Sequence, residues 1–104
     1  MSEISQTVEL VKQATNYQTN RKILREKILG DLHLAYNGGI FKVTTDLIAF
    51  LAIWPNDQLF FEDIYQNPIQ INRLELLELA QQHYHKVMNF WHQEHEKLKS
   101  IRKI

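Results

Sequence analysis

Residues 72–102 read NRLELLELAQQHYHKVMNFWHQEHEKLKSIR, and this stretch decides the architecture. It holds no glycine or proline, the two strongest disruptors of a helix. Asn72 stands as an N-cap, and Glu75 three residues on completes a capping-box pattern, its side chain reaching back. Leu77, Ala80, Tyr84, Val87, Trp91, Glu94, Leu98 and Ile101 follow at alternating intervals of three and four. Heptad spacing of this kind gathers side chains along one seam of a helix, interrupted here only at Glu94. Leu76 and Phe90 widen the seam on one side and Met88 on the other, so more than one neighbour is expected to pack on it. The pattern predicts a helix from about Arg73 to Arg102, about 45 Å long.

Upstream, glycine and proline are confined to the span from Gly30 to Pro68, which leaves residues 1–29 free of breakers as well. Leu10, Ala14, Tyr17, Leu24 and Ile28 fall on one helical stripe, with Ile4, Val8 and Val11 beginning it slightly off-phase. Thr15, Asn16, Thr19 and Asn20 lower helix propensity in the middle. A second helix from about Ser5 to Leu29 is predicted. Alone it would be marginal, so its stripe must be buried, and the C-terminal seam is the expected partner. An antiparallel helical hairpin follows.

The middle reads as β structure. Asn37-Gly38-Gly39 supplies the positive φ of a tight hairpin turn between His33–Tyr36 and Ile40–Val43. Trp54-Pro55-Asn56-Asp57 and Gln66-Asn67-Pro68 are further turns, separated by β-branched and aromatic runs. The run 46–54 fits either a buried strand or a short helix capped by Thr44 or Thr45; the flanking turns favour the strand. The expected fold class is therefore α+β in a single domain, residues 1–104. Two long antiparallel helices, residues 1–29 and 73–104, are joined by a small antiparallel β-meander, residues 30–72. Between Ile40 and Trp54, 11 of 15 residues are apolar, more than one face of a small sheet accommodates. A two- or three-fold assembly would bury the excess.

The composition narrows the functional classes. The chain has 104 residues, twelve basic and twelve acidic groups, and no cysteine. Disulfide frameworks, thiolate metal sites and cysteine nucleophiles are excluded. The start lacks the basic patch and apolar block of a signal peptide. The longest unbroken apolar run, Leu47 to Trp54, falls far short of the roughly 20 residues that span a bilayer. A soluble, cytoplasmic protein without membrane partners is expected.

Residues that could carry chemistry are few. His83, His85, His92 and His95 crowd the last helix; His92, His95 and Glu96 have offsets that share a helix face and suit a divalent ion. The run His92-Gln93-Glu94-His95 matches neither H-E-x-x-H nor H-x-x-E-H. Glu62 and Asp63 are adjacent, so on a strand they point to opposite faces and cannot form an acid–base dyad. Gly38-Gly39 lacks the spacing and lysine of a phosphate loop. No catalytic residue and no cofactor is expected. Arg21, Lys22, Arg25 and Lys27 form a basic turn, and Lys97, Lys99, Arg102 and Lys103 a basic tail. A phosphate backbone needs a contiguous stripe, and in the antiparallel hairpin the two clusters are expected toward opposite ends. Phe50, Trp54, Phe60 and Phe61 at the tip, and Tyr84, Phe90 and Trp91 on the seam, are expected as core or interface anchors.

In element order, helix, β-hairpins and helix, the chain resembles prefoldin-type chaperone subunits, whose β tips assemble. Gly38-Gly39-Ile40-Phe41-Lys42-Val43-Thr44 and the stretch from Asn67-Pro68-Ile69 to Val87-Met88-Asn89 are similar to short uncharacterised proteins of large marine tailed phages. That resemblance implies a virus-encoded structural or accessory protein. The expectation is a non-enzymatic assembly, scaffold or accessory protein, acting as a homo-oligomer with a further protein partner. A nucleic-acid accessory factor using Arg21, Arg25, Lys97, Lys99 and Arg102 is the alternative. Metal binding through His92, His95 and Glu96 is the third.

Overall fold

Both breaker-free ends are helical. The computed structural model describes residues 2–102, with side chains for residues 15–100. The elements run α1 (Ser2–Asp31), β1 (His33–Tyr36), β2 (Gly39–Lys42), α2 (Thr45–Ile53), β3 (Gln58–Glu62), β4 (Pro68–Asn72) and α3 (Arg73–Arg102). The side chains of Ile4, Val8, Leu10, Val11 and Ala14 on the first stripe, and of Ile101 and Arg102 on the second, lie outside those described, as does Lys103. The whole measures 69 × 23 × 18 Å, a rod thickened at one end.

The α+β class is as expected, but the middle is not a meander. Among the described residues there are three helices and two separate antiparallel hairpins, β1–β2 and β3–β4. Residues 46–54 are not a strand: 46–53 belong to α2 and Trp54 is its C-cap. The physical reason is local. Thr44 sits in extended backbone and its Oγ1 accepts the Leu47 amide at 3.1 Å, an N-cap that a strand could not use. Asp46 in the first turn favours the positive helix end. Pro55 then stops the helix, holding Trp54 at φ −62°, ψ 134°. An unalternating apolar run carries no period with which to choose; the cap chooses.

The first hairpin follows its turn chemistry. Asn37 (φ 49°) and Gly38 (φ 82°) form the two-residue turn, and Tyr36 pairs with Gly39. Gly39 is needed for a different reason: a Cβ there would lie 2.6 Å from Ile69 Cγ1. The two hairpins therefore stack with almost no gap. Tyr36, Phe41, Leu47, Leu51, Ile71 and Leu76 form the core of this head, with Phe50, Leu59, Phe61 and Ile69 packed against it.

Asn72 caps α3 as predicted, its Oδ1 accepting the Glu75 amide at 3.0 Å. The reciprocal half of the box is replaced: the Asn72 amide donates to the Tyr36 hydroxyl at 3.4 Å. The broad seam has its two neighbours in succession. The first turns of α3 carry Leu76 into the head core, and the later turns carry Val87 against Ile28 and Leu32, with Leu24, Tyr84, Met88 and Trp91 around them. This second cluster holds the stalk together.

Candidate functional site

Two surfaces stand out once the core has been subtracted. The first is the set of apolar side chains that the head leaves exposed. In β3 the pleat sends Leu59 and Phe61 inward and Phe60 outward, leaving Phe60 70% exposed in mid-strand. In α2 the core takes Leu47 and Leu51, one turn apart, so Ile53 falls on the opposite side and is 80% exposed. Trp54 continues an aromatic run into the interior: its ring centroid lies 5.0 Å from Phe50, which lies 5.2 Å from Phe61 and that 6.1 Å from Phe41. Ile64 and Tyr65 are exposed on the turn after β3. Among the described residues neither two-stranded sheet has a further strand on its edges.

Asp63 clips the head together. Its Oδ1 accepts the amides of Tyr65 and Asn67, both at 3.0 Å, and its Oδ2 accepts the Ile40 amide of the other hairpin at 3.2 Å. The Ile64 amide in turn donates to the Ile40 carbonyl at 2.9 Å. Asp63 is only 6% exposed. The Asn67 amide above all, opposed by burial and helped by the Ile40 and Tyr65 amides, holds its pKa below the ordinary 3.8. This is structural work: three backbone amides occupy the carboxylate. Glu62 beside it is exposed, so the pair is split between faces as the strand reading requires.

The second surface is a furrow along the stalk. One cleft of about 300 Å³ is lined by Gln18, Arg21, Lys22, Arg25, Trp91 and His95. A second of about 300 Å³ shares Arg25 and Trp91 with it and continues past Leu29 and Tyr84 to Lys42 and Thr44. Neither contains a carboxylate among its lining residues. Beyond Thr44 a third cleft of about 440 Å³ opens between α2 and the hairpins, where Lys42 shares the lining with Asp46, Glu62 and Asp63, so the balance of charge turns acidic there.

The register of the stalk explains how these cations meet. The His83 Nε2–H donates to the Asp31 carbonyl at 2.6 Å, since a carbonyl can only accept. The His33 ring similarly meets the Gly30 carbonyl at 2.9 Å through Nδ1. Two imidazoles thus satisfy the open carbonyls ending α1. Because α3 spends its first turns in the head, α1 meets it near residue 83 rather than at its start. Antiparallel pairing then sets Gln18 beside His95, and Lys97 and Lys99 level with residues just before Gln18. Lys97 and Lys99 therefore share one half of the rod with Arg21 and Arg25, rather than lying at opposite ends as the sequence suggested. Lys97 and Lys99 are ion-paired with Glu94 and Glu96 at 3.0 and 3.4 Å.

The remaining expected residues divide clearly. Phe50 and Phe61 serve the head core, and Tyr84 and Trp91 the stalk cluster, each half-buried. Phe90 is on the surface under Lys27, whose Nζ stands 4.4 Å from the ring centroid. His92 is exposed, His95 faces the furrow and Glu96 holds Lys99. Among the described residues no three histidine or carboxylate side chains converge to hold a metal ion. None of the described helices is long and apolar enough to cross a membrane. Ile53 and Lys42 were not singled out from sequence: the α2 period read from Thr44 would have exposed the first, while the second depends on tertiary placement. Comparison with protein families, with curated proteins and with solved structures finds no match to this chain.

Proposed function

We propose that this chain is a non-enzymatic interaction protein that assembles with further copies of itself through the exposed apolar side chains of its head, Phe60 first among them. The observation that carries this reading is Phe60, a large aromatic 70% exposed in the middle of a strand. A two-stranded hairpin is marginal alone and leaves edge groups free for another strand. Ile53, more exposed still, adds apolar area on the same head. Burying either side chain in an interface is worth about 1.5–3 kcal/mol, enough for a few such contacts to hold an oligomer.

Light scattering coupled to size exclusion tests the proposal at tens of micromolar protein. The expected result is a mass of two or more chains, shifted toward one chain by Phe60→Asp and by Ile53→Lys. A strict monomer across that range ends the self-associating reading. An oligomer indifferent to both substitutions moves the interface off these side chains and overturns the reading as well.

A further inference from the structure

We propose that the furrow between α1 and α3 binds a single strand of nucleic acid, phosphates along Arg21, Lys22, Arg25 and Lys42 and a base against Trp91. The proposal is independent of self-association through the head. Three observations converge on it. The first is charge: Arg21, Lys22 and Arg25 line the two joined clefts with no carboxylate among them, and Lys42 stands at their far end, where the acidic third cleft begins. The second is that they are unneutralised. Among the described residues the ion pairs join Lys27 to Asp31, Arg73 to Asp57, Lys97 to Glu94 and Lys99 to Glu96, and none uses a cation of the furrow. A chain with no net charge has thus collected an unpaired positive strip on one side. The third is Trp91, common to both clefts and half-buried, with His95 beside it in the first.

A cationic track with an aromatic ring in its floor is the arrangement that holds unpaired bases, because stacking is indifferent to sequence and needs an open base face. A duplex hides those faces, and an acidic peptide has no use for the indole. From Gln18 to Leu32 the furrow follows α1 for about 21 Å, room for a few nucleotides. The acidic rim at Asp46 and Glu62 marks its end.

The test is fluorescence anisotropy of a labelled dT oligonucleotide of about 12 residues, with the full chain, from about 50 to about 200 mM salt. Three or four phosphate contacts give a log–log slope of about −2 to −3, a 20- to 50-fold loss of affinity over that range, roughly. The double variant Arg21→Gln/Arg25→Gln, both positions exposed, is expected to weaken binding at least tenfold, roughly, and to flatten the slope by about 1.4. Its melting curve confirms that the fold is intact. Lys86→Gln, in the cleft that holds Phe90, is expected to leave binding unchanged. In a Trp54→Phe background Trp91 is the remaining indole, and the oligonucleotide is expected to quench it. Absence of binding at low salt overturns the proposal. So does equal loss in Lys86→Gln, equal affinity for a duplex of the same length, or tighter binding of an oligoglutamate peptide.

Discussion

The head and the stalk are held by different means, although α3 runs through both. The head interlocks: Asp63 joins the two hairpins, the Asn37 side chain donates to the Gln70 carbonyl at 3.0 Å, Tyr36 receives the Asn72 amide, and Arg73 reaches the Leu51 carbonyl at 2.9 Å. Each bond crosses between elements; three are part-buried and the Asn37 one is exposed. The stalk has a single seam. Its buried side chains are Tyr17 and a short row around Ile28, Leu32 and Val87, and His83 provides a hydrogen bond from α3 to α1. Specificity in the head therefore comes from many long-range hydrogen bonds around a packed core. In the stalk it comes from helix propensity and one apolar stripe, which leaves flanking grooves open to a ligand.

The comparison is broken most severely at Asp63. Asp63→Ala strands three backbone amides at once and is expected to lower the melting temperature more than any substitution below. Asp63→Asn keeps an oxygen for Tyr65 and Asn67 but turns an NH2 toward the Ile40 amide, donor against donor. It should loosen the hairpins from each other while sparing the turn, a smaller loss in the same thermal scan. Because the folded carboxyl titrates below its ordinary 3.8, its stabilisation is complete above that value and disappears as pH falls through the lowered one. Acid titration of the wild type should show this loss, and Asp63→Asn should not share it.

Core truncation sharpens the contrast next. Leu76, fully buried in the head, is expected to cost about 2–5 kcal/mol as alanine, read by urea denaturation. Gly39→Ala drives a methyl into Ile69 and should cost about 1–3 kcal/mol. Val87→Ala removes two methyls from the stalk seam, for about 1–2 kcal/mol. Hydrogen exchange should place its effect in α1 and the later turns of α3 and leave the head protected. A uniform loss of protection would mean that head and stalk unfold as one unit. The smallest effect has the opposite sign. Gly30 lies within α1 with open space where a Cβ would go and no positive φ, so Gly30→Ala should stabilise by about 0.5–1 kcal/mol.

The terminal helices were legible because their signals are repetitive: Leu77, Ala80, Tyr84 and Val87 repeat one period, and all four are buried or half-buried. The first hairpin was legible because Asn37-Gly38 permits little else. The run 46–54 was not, since its apolar residues satisfy strand and helix alike and the deciding atom, Thr44 Oγ1, acts outside the run. The exposed aromatics were picked out by type, but Phe60 and Phe61 read alike until pleat direction separated them. The furrow was the least legible. Arg21, Lys22 and Arg25 were visible as a cluster and Lys42 was not, and their company depends on where α1 meets α3, an offset set by how many turns of α3 the head consumes.

That shared helix has a mechanical consequence. A 30-residue helix is about 45 Å long, and its first turns are clamped in a tightly packed body. Geometry makes it a lever: swinging the clamped end by about 10° carries the far end through about 8 Å.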